Sequence, residues 1–106
     1  MYRGTTPTLY LELDTELDLT TVSEMWVTFK SSTVEITKSL SEAEIAIDAE
    51  TNTVSVLLTQ EDTLSLFNGA VEVQVRFRVG EGNNALAYAT DIAKVDVGKI
   101  LKEGVI

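Results

Sequence analysis

The clearest signal in the chain is an alternation. From Ala70 to Val79, the residues Val71, Val73, Val75, Phe77 and Val79 take every second position, with Glu72, Gln74, Arg76 and Arg78 between them. Successive side chains of a strand point to opposite faces, so this pattern predicts a strand with one buried and one wet face. Gly80-Glu81-Gly82-Asn83-Asn84 then supplies residues that tolerate positive φ, and Ala85 to Val97 returns with a mostly period-two pattern. Together these segments predict a long β-hairpin. On the returning strand, an inward phase set by Ala87, Ala89, Ala93, Val95 and Val97 would put Asp91 inside and Ile92 outside. A β-bulge near Thr90-Asp91 corrects both faces. The alternative is an Asp at the open end of a sandwich.

The same reading extends upstream. Leu9, Leu11 and Leu13 alternate with Tyr10, Glu12 and Asp14, behind a Pro7 that suits a strand start or an edge. In Val22 to Lys30, Met25, Val27 and Phe29 share one face, and Trp26, Thr28 and Lys30 the other. Ser31-Ser32 turns the chain into Thr33 to Ser39, with Val34 and Ile36 inward. Short strands follow at Glu44 to Asp48 and Thr53 to Thr59, around the polar loop Ala49-Glu50-Thr51-Asn52. One stretch breaks the pattern. Thr59 to Leu66 opens with a capping-type Thr, has acids in its first turn and is followed by Gly69, which predicts a helical turn near residues 60–66 crossing between sheets. About seven strands with regular turns predict a single all-β domain over residues 1–106, an immunoglobulin-like antiparallel β-sandwich.

Composition narrows the chemistry. With no His and no Cys among the 106 residues, the common nucleophile–base pairs, thiolate metal sites and disulfides are excluded. No Ser stands three residues before a Lys, as a Ser–Lys motif requires. No catalytic, cofactor-binding or metal residue is assigned, and the expectation is a protein that is not an enzyme. A formal charge of −9 argues against a polyphosphate partner, because counterion release needs clustered Lys and Arg. The chain also lacks a leader-like start and any apolar run of membrane-spanning length. The expected location is the cytoplasm of a bacterial host and then a larger particle, with neither nucleic acid nor membrane as partner.

Three patterns invite a sharper reading. Glu12, Asp14, Glu16 and Asp18 would line one face of an extended segment and attract calcium, although such acids more often form a solvated edge. Gly80 to Ala85 matches G-x-G-x-x-A, but it is expected to join two strands rather than a strand and a helix. Tyr10, Trp26 and Tyr88 fall on apparently outward phases and could form an aromatic platform for a partner or a sugar. The competing reading makes Trp26 an inward sandwich tryptophan in a strand shifted by one residue.

Arg3-Gly4-Thr5-Thr6-Pro7, Asp18-Leu19-Thr20-Thr21-Val22 and the Thr59 to Leu66 crossover before Gly69 resemble small proteins encoded by phages and prophages of gut Firmicutes. The crossover, the Val-Glu-Val-Gln-Val-Arg strand and the Gly/Asn-tipped hairpin are similar to the immunoglobulin-like N-terminal domain of phage upper-baseplate proteins. The resemblance implies a virion structural or adhesion module, in a tail or baseplate, working through contacts with itself or with other phage proteins. It carries over no catalytic or ligand residue. The sequence departs from the baseplate pattern in ending at Ile106 without a receptor-binding or coiled-coil domain, which leaves an accessory, connector or decoration role equally open. The apolar residues Ile100, Leu101, Val105 and Ile106 are a candidate assembly element, or they dock on their own sheet. The alternative functions are a carbohydrate or cell-surface binding module using the aromatics, and an acidic regulator that mimics a charged partner.

Overall fold

The computed structural model describes the chain except for Glu16, Thr33, Phe67, Asn68 and Glu103, so the expectations for Glu16 and Thr33 lie outside the described residues. Among the described residues, eight strands form two antiparallel sheets: β1 (Thr8–Glu12), β2 (Val22–Ser31), β3 (Val34–Ser39), β4 (Ile45–Asp48), β5 (Thr53–Leu57), β6 (Gly69–Val79), β7 (Leu86–Ala89) and β8 (Ala93–Val97). One sheet has the order β1-β5-β4, and the other β3-β2-β6 with β7 and β8 both paired to β6. The first sheet holds the positions B, E and D of an immunoglobulin-like sandwich, and the second C′, C, F and G. Residues Met1 to Arg3 add a short parallel pairing to the end of β8 through Tyr2 and Gly98. Gly98 allows that approach, since a Cβ there would lie 2.5 Å from the Tyr2 ring.

The core follows the predicted alternation. Met25, Val27 and Phe29 of β2, Val71, Val73, Val75 and Phe77 of β6, and Val54 and Val56 of β5 are buried between the sheets. Burying each such side chain contributes about 1.5–3 kcal/mol relative to leaving it in water. Trp26 stands on the outward face, so the unshifted phase of β2 is the correct one. Val34 and Ile36 point inward as expected, opposite Ser31 and Phe29.

The returning strand of the hairpin is broken where a bulge was expected. β7 pairs with β6 through Arg76↔Ala89, β8 pairs through Val73↔Ala93, and Thr90, Asp91 and Ile92 therefore face only Gln74 and Val75. Thr90 seals the extra residue: its N–H donates to Val75 O at 2.9 Å, its hydroxyl accepts from Val75 N at 3.1 Å, and its carbonyl accepts from the Gln74 amide at 2.9 Å. The seven expected strands become eight because this bulge divides the last one. Asp91 is exposed, as expected, but Ile92 is exposed too, beside outward residues of β2 and β6. The phase assigned to β7 is also corrected. Ala87 and Ala89 lie opposite the outward Arg78 and Arg76, and Tyr88 lies opposite the inward Phe77.

The predicted helical turn is α1 (Gln60–Ser65), which carries the chain from one sheet to the other. Thr59 caps it in a capping box: Thr59 Oγ1 accepts from Asp62 N at 3.2 Å, and Asp62 Oδ2 accepts from Thr59 N at 2.8 Å. The guanidinium of Arg3 donates to the carbonyls of Leu64 and Leu66 at 2.6 and 2.8 Å, satisfying acceptors at the other end.

Lys38 lies on the inward phase of β3 with its ammonium against Asp62 at 2.7 Å and Glu44 at 3.1 Å. This contact ties β3 to α1 across the side of the sandwich. Burial pulls the Lys38 amine down, but the hydrogen bonds and charges of Asp62 and Glu44 outweigh it and leave the amine raised. Burial likewise pushes the Asp62 carboxyl up, and the bonds from Lys38 and Thr59 outweigh it and hold it below the usual range. Asp62→Ala removes a cap partner and leaves the ammonium with one carboxylate, so it is expected to cost about 2–4 kcal/mol in urea unfolding at neutral pH. A lowered carboxyl stabilises above its unfolded pKa of about 4 and loses that contribution as pH falls through its folded value. The gap between wild type and Asp62→Ala should therefore narrow on acidification below about pH 4, as urea midpoints measured along a pH series would show.

Candidate interaction surfaces

The first surface is the outer face of the larger sheet. The β2–β6 register sets Trp26 directly opposite Arg76, and the guanidinium carbon sits 5.7 Å from the indole centroid. Trp26 remains 46% exposed. Glu24, Arg78 and Ala87 complete a shallow depression of about 170 Å³ around this pair. Hydrogen bonds from Ser41 and from the Met25 backbone N–H hold the Glu24 carboxyl below its usual range. Ser23 braces the Arg78 end, its hydroxyl donating to Gly80 O at 2.7 Å and accepting from Arg78 Nε at 3.1 Å. Lys30, Arg76, Arg78 and Lys94 all project from this face, so half of the chain's eight cations lie here although the protein is strongly acidic.

The second surface is a groove of about 600 Å³ on the open side of the sandwich. One wall is the stretch from Tyr10 to Thr15 together with Leu17, and the other is the inner side of β6, β7 and β8. Its floor is apolar, with Leu11, Leu13, Val73, Val75, Phe77 and Ala93, and its rim carries Glu12, Asp14 and Asp91. Tyr88 sits here as well, stacked on Phe77 with centroids 5.4 Å apart.

The expected aromatic platform is not assembled. Tyr10 is 73% exposed, but it projects from the outer face of the smaller sheet, opposite Ser55, whereas Trp26 projects from the outer face of the larger one. Tyr88, expected outward, turns inward because the bulge reverses the phase of β7. Of the acids expected to align, Glu12 and Asp14 share the groove rim, whereas the Asp18 carboxylate is taken up locally and accepts from the Thr20 N–H at 3.0 Å and hydroxyl at 2.7 Å. Those bonds lower its pKa. Among the described residues, no group of three or more acids is placed to hold a metal ion. Gly80 to Ala85 joins β6 to β7, as the strand-to-strand reading requires.

The third surface is the segment after Gly98. Ile100 and Leu64 both approach Gly4, so part of the segment docks on its own domain. Leu101 is 97% exposed, and Val105 and Ile106 are exposed as well. The Ile106 N–H donates to Gln60 Oε1 at 2.9 Å.

Sequence reasoning missed the groove and the Lys38 contact. Lys38 had a signal, since it shares the phase of Val34 and Ile36 and must be inward with them. The groove had a weaker one, the eight residues from Asn83 to Thr90, which carry no charge in a chain rich in it. Among the described residues, no helix is long and apolar enough to cross a membrane. The chain matches no protein-family model and no curated protein.

Trp26 is the sole tryptophan, so its fluorescence reports on the first surface. The emission should be that of a hydrated indole and should be strongly quenched by acrylamide. Arg76→Ala should change its intensity while costing no more than about 1 kcal/mol in unfolding experiments. A blue-shifted, quencher-resistant emission would place the ring in the core instead.

Proposed function

We propose that this protein is a non-enzymatic structural or assembly subunit of a phage-like particle, in a tail or baseplate or as an accessory component. It works by protein–protein contacts with copies of itself and with neighbouring virion subunits. The observation that carries this reading is the distribution of exposed apolar side chains. Trp26 lies on one outer face, Tyr10 and Leu57 on the opposite one, Leu86 at the hairpin end, and Leu101, Val105 and Ile106 on the last segment. A ligand-binding domain gathers such residues into one pocket, whereas a subunit with several neighbours presents them on several sides. The resemblance to small phage proteins and to baseplate immunoglobulin-like domains points the same way.

Absolute mass by light scattering after size exclusion, from micromolar to near-millimolar concentration, tests the reading. A discrete trimer, hexamer or larger species is expected, because self-complementary or head-to-tail surfaces close into symmetric oligomers. A strict monomer over the whole range overturns self-assembly. Glycan binding that Trp26→Ala abolishes would replace this reading with the sugar-binding one.

A further inference from the structure

The open groove and the exposed last segment are complementary. The far edge of β1 has no strand beside it among the described residues, since β1 pairs with β5, and β7 likewise pairs with β6 on one side. Both edges therefore offer backbone N–H and C=O groups to an added strand. The groove between them has an apolar floor and the acidic rim of Glu12, Asp14 and Asp91. The segment after Gly98 has the complementary chemistry: it exposes Leu101, Val105 and Ile106, and its sequence carries Lys99 and Lys102 on either side of Leu101 against the single acid Glu103.

A chain does not satisfy its own groove. The segment leaves β8 beside Met1 to Arg3, and Ile106 is held at Gln60, the first residue of α1. The groove runs along the other part of the molecule, from Tyr10 toward Leu17 and Tyr88. We infer that residues 99–106 of one copy leave their own contacts at Gly4 and Gln60 and add to the groove between β1 and β7 of a second copy, in a head-to-tail contact that rests on the assembly reading above. Leu101 and Val105 cover the apolar floor, and the lysines meet the acidic rim. This matters in a chain of net charge −9, where two copies repel unless opposite charges are brought together locally. Because donor and acceptor are different surfaces, the contact propagates into a ring or a filament rather than stopping at a two-fold dimer.

The test uses two full-length variants. Leu101→Asp combined with Ile106→Asp disables the donor at exposed positions, and Ala93→Arg fills the acceptor at an exposed position while repelling the lysines. Circular dichroism and thermal melts confirm that each is folded. Light scattering and sedimentation equilibrium should show about a hundredfold weaker self-association for each variant alone, equivalent to about 2.7 kcal/mol. An equimolar mixture should form a 1:1 dimer and nothing larger, since one functional donor and one functional acceptor remain. A wild-type oligomer that neither variant weakens, or a mixture that stays monomeric, overturns the head-to-tail contact while leaving the assembly reading standing. A wild type that is monomeric at every concentration overturns the head-to-tail contact together with the self-assembly part of that reading.

Discussion

The pairing of β2 with β6 is the constraint on which the rest of the sandwich rests. Both strands alternate apolar and polar side chains, and their antiparallel ladder sets Met25, Val27 and Phe29 against Phe77, Val75 and Val73 on the inner face. A strand has a side-chain period of two, so a slip of one residue would carry Trp26, Thr28 and Lys30 into the core and expel Phe29. The same register dictates the outer face. Trp26 meets Arg76 because their neighbours on either side must both be buried. The aromatic and cationic character of the exposed sheet is thus a consequence of core packing, available to any partner that approaches the flat face.

The second sheet needs more than apolar contact to stay in place, because β4 and β5 are short and α1 must turn the chain between layers. Lys38 supplies a fixed cross-link. Its ammonium reaches Asp62, the residue that completes the capping box of α1, and the same Asp62 Oδ2 receives both Lys38 and the Thr59 N–H. Helix start and sheet closure are therefore one network. Buried ion pairs add little over well-packed hydrophobes, but removing one partner leaves a charge without compensation. Such a contact fixes where β3 sits relative to α1 more than it adds to total stability. On the opposite end of α1, Arg3 satisfies helix carbonyls and Thr63 donates to Thr5 O at 2.8 Å, so the N-terminal residues are fastened to the same crossover.

Most of the fold was legible in the sequence because its strands are strongly amphipathic. The alternation of residues 71–79 and 25–30, the capping Thr59 and the turn glycines all act through local geometry, and each produced the element expected of it. The bulge at Thr90 was legible too, from an Asp that would otherwise have been buried. What failed was its consequence: the reversal of phase was not carried back to Tyr88. The alanines on both sides gave no hydrophobic contrast, so Ala87 and Ala89 read as inward as easily as outward. Of the candidate surface, Trp26 and Tyr10 were placed correctly one by one, but their separation on opposite sheets depends on strand order, which no local pattern encodes. The groove depends on it as well, since it exists only where the edges of β1 and β7 face each other.

The two sides of the sandwich are closed by different means, and the difference directs where a partner can add. On one side, β3 and β4 are joined by a short connection and held by Lys38, while Glu35 and Asp48 place charges along their edges. Inward lysines and edge charges are devices that discourage pairing with another chain. On the other side, Leu86-Ala87-Tyr88-Ala89 has no charge and the adjacent floor is apolar, while among the described residues the charges lining the gap are the acids of the rim. An uncharged edge beside an unfilled apolar groove accepts a strand, and the acidic rim selects one that carries cations. In the head-to-tail contact we propose, selectivity would come from the rim and affinity from the ladder and the floor.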